Sequence, residues 1–291
     1  MTRTRIAGPC VMTVVTPTPL RWSLEDLDFS RIEAERVRAH DALFLLVCSA
    51  SFIESGSDMY TRNLIEHFSD DPEVGAWLRD HWEPEELQHG AALKAYVRHV
   101  WPGFDWESAY AGFFDEYARL CTMDELEPTR GQEMVARCIV EMGTTTYYQA
   151  LHEATDEPVL RDLFWRIRCD EVQHYKNFFA FFRKYREIEG LHRGQVLAAL
   201  VRRALELRKE DASIALRHAV AGRLRTGAID GGPAPIANAE QLAKDAIQLV
   251  SSNLPMGLAV RMTLKPLLLR PGVQRVVERP LAAIGRRVLL T

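Results

Sequence analysis

The short motif Glu-x-x-His occurs twice in this 291-residue chain in a helical context, each time inside an apolar stripe. Residues three apart share one face of a helix, so the glutamate and the histidine of each motif point the same way. Apolar side chains recur around them at spacings of three and four, which indicates helix faces directed at a core. Carboxylates and imidazoles are costly in a core unless they are paired or bind a metal ion. The two stripes are Leu78, Trp82, Glu86, His89, Leu93 and Val100, and Leu160, Leu163, Ile167, Glu171, His174, Phe178 and Phe181.

A further glutamate precedes each motif inside an apolar helical run. Glu54 and Glu141 lie 32 and 30 residues before the glutamates of the two motifs. A turn sequence that ends in proline lies midway in each interval, at residues 69–72 and 155–158. Equal arms bring two residues of an antiparallel helix pair to one level, here roughly 23 Å from the turn at about 1.5 Å per residue. The spacing therefore predicts two helical hairpins with four carboxylates and two histidines at one depth.

These six residues form a donor set for two metal ions. Carboxylate oxygens and imidazole nitrogens suit iron or manganese, and positions left open between the two ions are where O₂ would bind. Asp170 is expected to accept a hydrogen bond from His89, or else to be a solvated helix charge. Glu133 is an alternative to Glu141, but it would lie eight residues farther from the turn. The expected ligands are Glu54, Glu86, His89, Glu141, Glu171 and His174.

The chain is predicted to be all-α, because no segment alternates in the manner of a strand. We expect a four-helix bundle over residues 23–190. An extended arm, residues 1–22, would precede it, and a basic appendage of additional C-terminal helices, residues 191–291, would follow.

Helix limits follow from the apolar periodicity and from proline and glycine. One long helix is expected from near Ser23 or Ser30 towards Phe68, loosened at Gly56. Pro84 lacks a backbone N–H and is expected to kink the second helix. Further helices are predicted over about 72–101, 107–121, 129–154, 158–187 and 194–222. After a linker at 227–235, shorter helices would be broken by Pro255, Pro266, Pro271 and Pro280.

Charge is distributed unevenly along the chain. Residues 1–190 carry 20 Lys and Arg against 33 Asp and Glu, whereas residues 191–291 carry 16 against 7. A basic tail on an acidic body indicates an acidic partner, an anionic membrane surface, or docking of the tail onto the body.

The cysteines and the apolar runs indicate the cellular compartment in which the protein is expected. The five cysteines are odd in number and form no Cys-x-x-Cys, which is typical of reduced thiols. The longest apolar run, residues 43–53, is too short to cross a bilayer, and the N-terminus lacks the pattern of a signal peptide. We therefore expect a cytoplasmic protein.

The residues around both motifs resemble those of the soluble acyl-acyl-carrier-protein desaturases, within the ferritin-like di-iron superfamily. Residues 82–90, WEPEELQHG, are similar to the family's Trp-x-x-Glu-Glu-Asn-Arg-His-Gly, and residues 170–174, DEVQH, to its Asp-Glu-Lys-Arg-His. Residues 141–144, EMGT, match its Glu-x-x-Thr. The likeness covers roughly residues 30–187. Leu-Gln and Val-Gln replace the family's polar-basic pairs inside the motifs, and the basic tail has no evident counterpart.

This resemblance implies a ferritin-like four-helix bundle that binds two iron ions. Thr144 would be a catalytic proton relay or an oxygen-positioning hydroxyl. The implied ligand roles are terminal for Glu54 and Glu141, bridging for Glu86 and Glu171, and one histidine per iron for His89 and His174.

The function that we expect is O₂-dependent oxidation of an acyl chain, with electrons from an external, ferredoxin-like donor protein. Expected partners are acyl carrier protein or a small-molecule substrate, and a second copy in a homodimer, but no nucleic acid. Arg202, Arg203 and Arg217 would form a docking face for the acidic carrier, unless they pair with the acidic body. Alternative functions are a di-iron N-oxygenase, hydroxylase or aldehyde oxygenase of small-molecule metabolism, and a ferritin-like iron-oxidising protein.

Overall fold

Residues 20–206, 211–226 and 239–290 are described by the computed structural model of the chain. Every regular element in these ranges is helical and none is a strand, which confirms the predicted all-α class. Most of the predicted N-terminal arm, residues 1–19, and the whole predicted linker, residues 227–235, lie outside the described residues.

The first part of the described chain forms six α-helices and several single turns. Two 3₁₀ turns, Leu24–Asp26 and Phe29–Arg31, lead into them. The helices are α1 (Ala34–Val37), α2 (Asp41–Ser55), α3 (Ser57–His67), α4 (Pro72–Trp77), α5 (Glu83–Val100) and α6 (Trp106–Tyr117).

Helices α2 and α3 occupy the region of the predicted long helix and are separated at Gly56, where the sequence predicted a loosening, but the predicted start near Ser23 or Ser30 is wrong. Helix α2 begins only after His40, whose ring accepts a hydrogen bond from the Leu43 backbone N–H at 3.2 Å. Gly56 separates the two helices, because its φ of −95° and ψ of 3° depart from helical values. The break comes two residues after Glu54, so α2 ends just beyond the polar layer described below.

The irregularity predicted at Pro84 takes another form. A π-helical turn, Leu78–Trp82, joins α4 to α5, and the Glu83 backbone N–H donates to the Leu78 carbonyl across it. Pro84 itself lies directly after this turn, at the second residue of α5, and lacks the N–H that a regular continuous helix would use there. The distortion thus falls one turn before Glu86, and π turns are frequent at functional sites.

Helices α7 and α8 form the central hairpin. Helix α7 spans Arg130–Ala154, helix α8 spans Pro158–Glu189, and the two pack along their length. The buried Glu157 carboxylate caps α8 by accepting hydrogen bonds from the backbone N–H groups of Val159 and Leu160 at 3.3 and 2.7 Å. The short connection makes the pair antiparallel, as the equal arms of the sequence predicted.

Five more helices follow the hairpin, of which the first four add buried apolar side chains to its core. Two helical segments are described in the region of the single helix predicted over 194–222, and residues 207–210 between them lie outside the described residues. Pro280 lies inside the last helix rather than ending it; it faces solvent, so water can reach the carbonyl that lacks an N–H partner. The helices are α9 (Arg193–Glu206), α10 (Asp211–Thr226), α11 (Ala239–Asn253), α12 (Met256–Leu264) and α13 (Pro271–Leu290).

Two apolar clusters fill the interior, one on each side of a polar layer. Along α7 they are separated by the residues between Ile139 and Tyr148, and along α8 by those between Ile167 and Tyr175. Both gaps lie at the level of the Glu-x-x-His motifs. The apolar stripes therefore position a polar layer deep inside the protein.

One helical stretch among the described residues, Asp41–His67, is long and apolar enough to cross a membrane by length and composition alone. Within its most apolar window, 78% is buried inside the protein, and Gly56 interrupts the helix. The stretch is therefore accounted for by core packing, and the cytoplasmic location stays a prediction.

Candidate metal centre

The polar layer contains all six residues that the sequence singled out. Their ligand atoms form two overlapping groups, and the atoms of each group lie within 4.8 Å of one another. All six side chains are buried, with residue exposures of 8% or less. Glu86 and Glu171 belong to both groups, so the two groups share two carboxylates. The groups are Glu54, Glu86, His89 and Glu171, and Glu86, Glu141, Glu171 and His174.

Four helices supply these side chains, and a glycine allows two of the helices to approach closely. Gly90 follows His89 on α5 and faces the end of α2. A Cβ atom at Gly90 would lie 2.7 Å from the Ser55 backbone nitrogen and 2.9 Å from its Cα. Because backbone atoms cannot turn aside, only glycine fits here while Glu54 stays beside the motif of α5.

Each histidine ring contacts a carboxylate outside the cluster and presents its other nitrogen inward. His89 Nε2 lies 3.1 Å from Asp170 Oδ2, and His174 Nε2 lies 2.7 Å from Glu85 Oε2. The expected contact between Asp170 and His89 is thus present. Four inward atoms are buried without a hydrogen-bond partner: Nδ1 of His89, Nδ1 of His174, Oε2 of Glu141 and Oε1 of Glu171.

Buried polar atoms without a hydrogen-bond partner normally destabilise a protein. Four of them in one cluster therefore indicate a site where a ligand binds. The four atoms are of the types that bind transition metals, and the outer carboxylates fix the histidine tautomers that leave Nδ1 free to coordinate. The residues therefore fit a metal ion beside each histidine, and these buried groups could hold one.

Glu171 is placed between the two groups. Its Oε1 lies 3.3 Å from His89 Nδ1, and its Oε2 lies 3.7 Å from His174 Nδ1. Glu86 Oε1 lies 3.0 Å from His174 Nδ1 without the alignment of a hydrogen bond. One carboxylate that faces both imidazoles has the geometry of a bridge between two ions.

If no metal were bound, protons on the carboxylates and imidazoles would have to offset the repulsion among the buried carboxylates. Burial and neighbouring carboxylates raise the pKa of Glu54 and Glu86, and burial raises the pKa of Glu141 to about 8. Burial alone would lower the pKa of both histidines, but the surrounding carboxylates raise it well above its usual value. Metal ions would displace these protons, and two divalent ions would balance the charges of the four glutamates.

Glu85 is a residue of the centre that the sequence did not single out. It directly precedes Glu86, as Asp170 directly precedes Glu171, and each of these acids contacts the histidine of the opposite motif. Burial would raise the pKa of Glu85, but the hydrogen bond from His174 and the charge of Arg21 hold it below its ordinary value. The repeated acid before each motif is the sequence signal that would have found it.

Arg21 and Trp22 extend the centre to the N-terminal segment, where the sequence predicted only an extended arm. Arg21 Nη2 lies 3.1 Å from Glu85 Oε2, and Arg21 Nε lies 3.3 Å from Asp170 Oδ1. The Trp22 indole N–H donates to Asp170 Oδ2 at 2.6 Å. One arginine therefore joins the two acids that orient the histidines, and nothing in the local sequence marks it.

Two hydroxyl groups of α7 also contact the ligand carboxylates. Thr144 Oγ1 donates to Glu171 Oε2 at 2.7 Å. The buried Tyr148 hydroxyl donates to Glu54 Oε1. The sequence singled out Thr144 by resemblance, whereas Tyr148, two turns after Glu141, was not among the predicted site residues.

The arginines expected to form a docking face for a carrier protein contact groups of the acidic first part of the chain. Arg202 pairs with the buried Glu127, and Arg217 Nη2 lies 2.7 Å from Glu116 Oε1. Arg203 donates to a backbone carbonyl at 3.2 Å. These contacts correspond to the alternative that the charge distribution left open, in which the tail pairs with the acidic body.

Comparison of the chain with protein-family models and with curated proteins finds no match. The case for a metal centre accordingly stands on the donor atoms and their geometry.

An open groove of about 640 Å³ lies between α10 and α11, lined by Leu216, Leu224 and Ile247 among others, and contains none of the six residues.

Replacing Arg21 with glutamine should weaken metal binding without unfolding the protein. The substitution removes the charge that holds Glu85 and Asp170, and loss of such outer contacts typically lowers metal affinity about 10–100-fold. Arg21→Lys should retain part of the affinity, because it keeps the charge but not the planar fork. Competition with a chromophoric chelator measures the change.

The matched control for Arg21 is Arg31→Gln, at an exposed arginine of the same segment. Circular dichroism establishes that each variant is folded. Parental metal affinity in Arg21→Gln would contradict the positioning role.

Proposed function

We propose that this protein is an O₂-dependent di-iron oxidase that acts on an acyl chain, most simply by desaturation. The observation that carries the proposal is the pair of overlapping Glu/His groups, with two shared carboxylates and unpartnered imidazole nitrogens directed inward. A mixed set of carboxylates and imidazoles suits iron or manganese, and two Glu-x-x-His motifs with two further glutamates are the pattern of di-metal helical bundles. Bound iron would supply the activation of O₂.

The chain's own residues would hold the ions, orient the ligands and exclude water. Asp170 and Glu85 fix the two imidazole rings through hydrogen bonds, and Arg21 holds both acids in place. The apolar clusters on either side of the polar layer keep solvent away from a reactive centre. The Thr144 hydroxyl can hold or pass a proton at Glu171 Oε2, which it contacts.

The acyl chain as substrate is supported by the resemblance of residues 82–90, 141–144 and 170–174 to the soluble desaturases. Desaturation removes two hydrogen atoms from the chain. With two electrons from an external donor and two protons, the four electrons reduce O₂ to two waters. A carrier-bound acyl group and a free small molecule are distinguished by which of them is consumed.

The test is reconstitution of the purified protein with ferrous iron under anaerobic conditions, followed by acyl-acyl carrier protein, a ferredoxin reducing system and O₂. We expect two iron ions per chain and an acyl product that has lost two hydrogens. A product that has gained oxygen would move the assignment to a hydroxylase. Iron oxidation that deposits a ferric core, with no acyl product, would overturn the proposal in favour of iron storage. If a free amine or aldehyde is the only substrate that is oxidised, the acyl chain is not the substrate.

Thr144→Val should slow turnover or uncouple it from O₂ consumption, with both metal ions retained. The substitution keeps the shape of the side chain but removes the hydroxyl that donates to Glu171. We expect a rate lower by about 100-fold, at the low end of proton-transfer contributions. Metal analysis and O₂-to-product stoichiometry are the measurements. Thr146→Val is the control, since that hydroxyl donates only to the carbonyls and the thioether of its own helix. Loss of metal in Thr144→Val would show that Thr144 is a structural residue instead.

A further inference from the structure

The outer face of α13 exposes apolar side chains that no element of the described chain covers. Val273, Val276 and Ile284 are 51%, 75% and 57% exposed. The opposite face packs on α11 and α12, where a Cβ at Gly285 would lie 2.7 Å from Met256 Sδ. At about 100° per residue, the three exposed side chains fall within an arc of about 80° that points away from the bundle.

Arginines form a second arc beside this apolar one. Arg275, Arg279 and Arg286 are exposed and fall within about 40° of one another on the helix. Within the described ranges none of these three forms an ion pair with a carboxylate. They are therefore not neutralised as Arg202 of α9 and Arg217 of α10 are, each of which pairs with a glutamate of the preceding part of the chain.

The surrounding segment is basic as well. Residues 254–291 contain seven Lys and Arg and a single acid, Glu278. Glu278 is partly shielded and lies 3.9 Å from Arg261. Lys265 and Arg270 are also exposed. The last two helices thus present a positive surface with an apolar stripe running through it.

We propose that α12 and α13 form a surface that binds the headgroup region of an anionic lipid bilayer. Basic residues beside an apolar stripe on the outward side of one helix match an interfacial membrane helix, whose apolar side chains enter the acyl boundary while its cations contact lipid phosphates. The bundle packs on the opposite side, so α13 can lie flat on a membrane with the metal centre in solution.

The charges on α13 argue against a second copy of the chain or an acidic carrier protein as the occupant of this face. An isologous contact of this face with a second copy would bring the arginines of the two copies close together, which is repulsive. An acidic carrier protein would meet the arginines, but the apolar arc, which spans about 80° of the helix against about 40° for the basic one, would gain little from an acidic surface. A bilayer of anionic lipid supplies both phosphate and hydrocarbon.

The experiment is co-sedimentation of the full-length protein with vesicles of phosphatidylcholine alone and with roughly one third phosphatidylglycerol, an anionic lipid. We expect binding only to the anionic vesicles, weakened by salt. A variant with Arg275, Arg279 and Arg286 changed to glutamate should bind at least 10-fold more weakly. Val276→Ser with Ile284→Ser should weaken binding several-fold without a change in charge. The control changes Arg31, Arg119 and Arg183, exposed arginines elsewhere, to glutamate and should bind like the parent.

Each other result overturns the proposal. Absence of vesicle binding, or equal binding by the parent and the triple variant, would rule out a lipid-binding surface on α12 and α13. Concentration-dependent dimerisation that Val276→Ser with Ile284→Ser abolishes would assign the face to a second copy. Co-elution with acyl carrier protein in place of vesicle binding would assign it to the carrier. Metal content reports on the proposed oxidase separately, because α13 contributes none of the six ligand residues.

Discussion

Glu171→Ala should remove both metal ions from the protein and abolish O₂ chemistry while leaving the helical fold intact. Its two oxygens face different histidines, at 3.3 and 3.7 Å, so one substitution removes a ligand from both positions. Loss of an outer contact lowers metal affinity by about 10–100-fold, and loss of a bridging ligand should exceed that. The fold is retained because its stability comes from the apolar clusters on either side of the polar layer.

Metal analysis, O₂ consumption and far-ultraviolet circular dichroism together check this expectation. Glu86→Ala should behave in the same way, since Glu86 also belongs to both groups. Glu187→Ala, at an exposed glutamate of the same helix, is the matched control and should keep two ions per chain. If Glu171→Ala retains both ions at the parental affinity, the ligand assignment is wrong.

Gly90→Ala should destabilise the protein and selectively release the ion beside His89. The added methyl would meet Ser55 backbone atoms at 2.7 and 2.9 Å, so α2 and α5 must move apart. Overpacking of this kind costs about 1–3 kcal/mol, which lowers Tm by roughly 2–4 °C per kcal/mol in a domain of this size. The displacement carries Glu54 away from the motif of α5, whereas Glu141 and His174 on the hairpin of α7 and α8 stay in place.

The control for Gly90 is Gly257→Ala, because a Cβ at Gly257 meets nothing within 4 Å. This variant should be as stable as the parent or slightly more stable, since alanine favours a helix over glycine by about 1 kcal/mol. Thermal unfolding and metal titration of both variants compare the two sites directly. Equal stability in the two variants would show that the close approach of α2 and α5 imposes no constraint.

Much of the centre follows from local patterns. The period of the apolar stripes and the equal arms around residues 155–158 predicted the α7–α8 hairpin and brought Glu141 level with Glu171. These features depend on helix geometry alone, in which spacing along the chain fixes both face and depth. The sequence also predicted the irregularity at Gly56, whereas it did not predict that α2 begins only at Asp41.

What the sequence by itself determined is the all-α class and the identity of the six clustered residues, since both follow from the helical period. What only the tertiary structure decided is the set of contacts between distant segments. Arg21 reaches Glu85 and Asp170 across 64 and 149 residues of chain, and Glu85 bonds His174 across 89. The pairing of Arg202 and Arg217 with the bundle, and the exposure of α13, likewise depend on how helices pack. Packing brings such residues together through the burial of apolar faces, a property of the whole chain that no local spacing encodes.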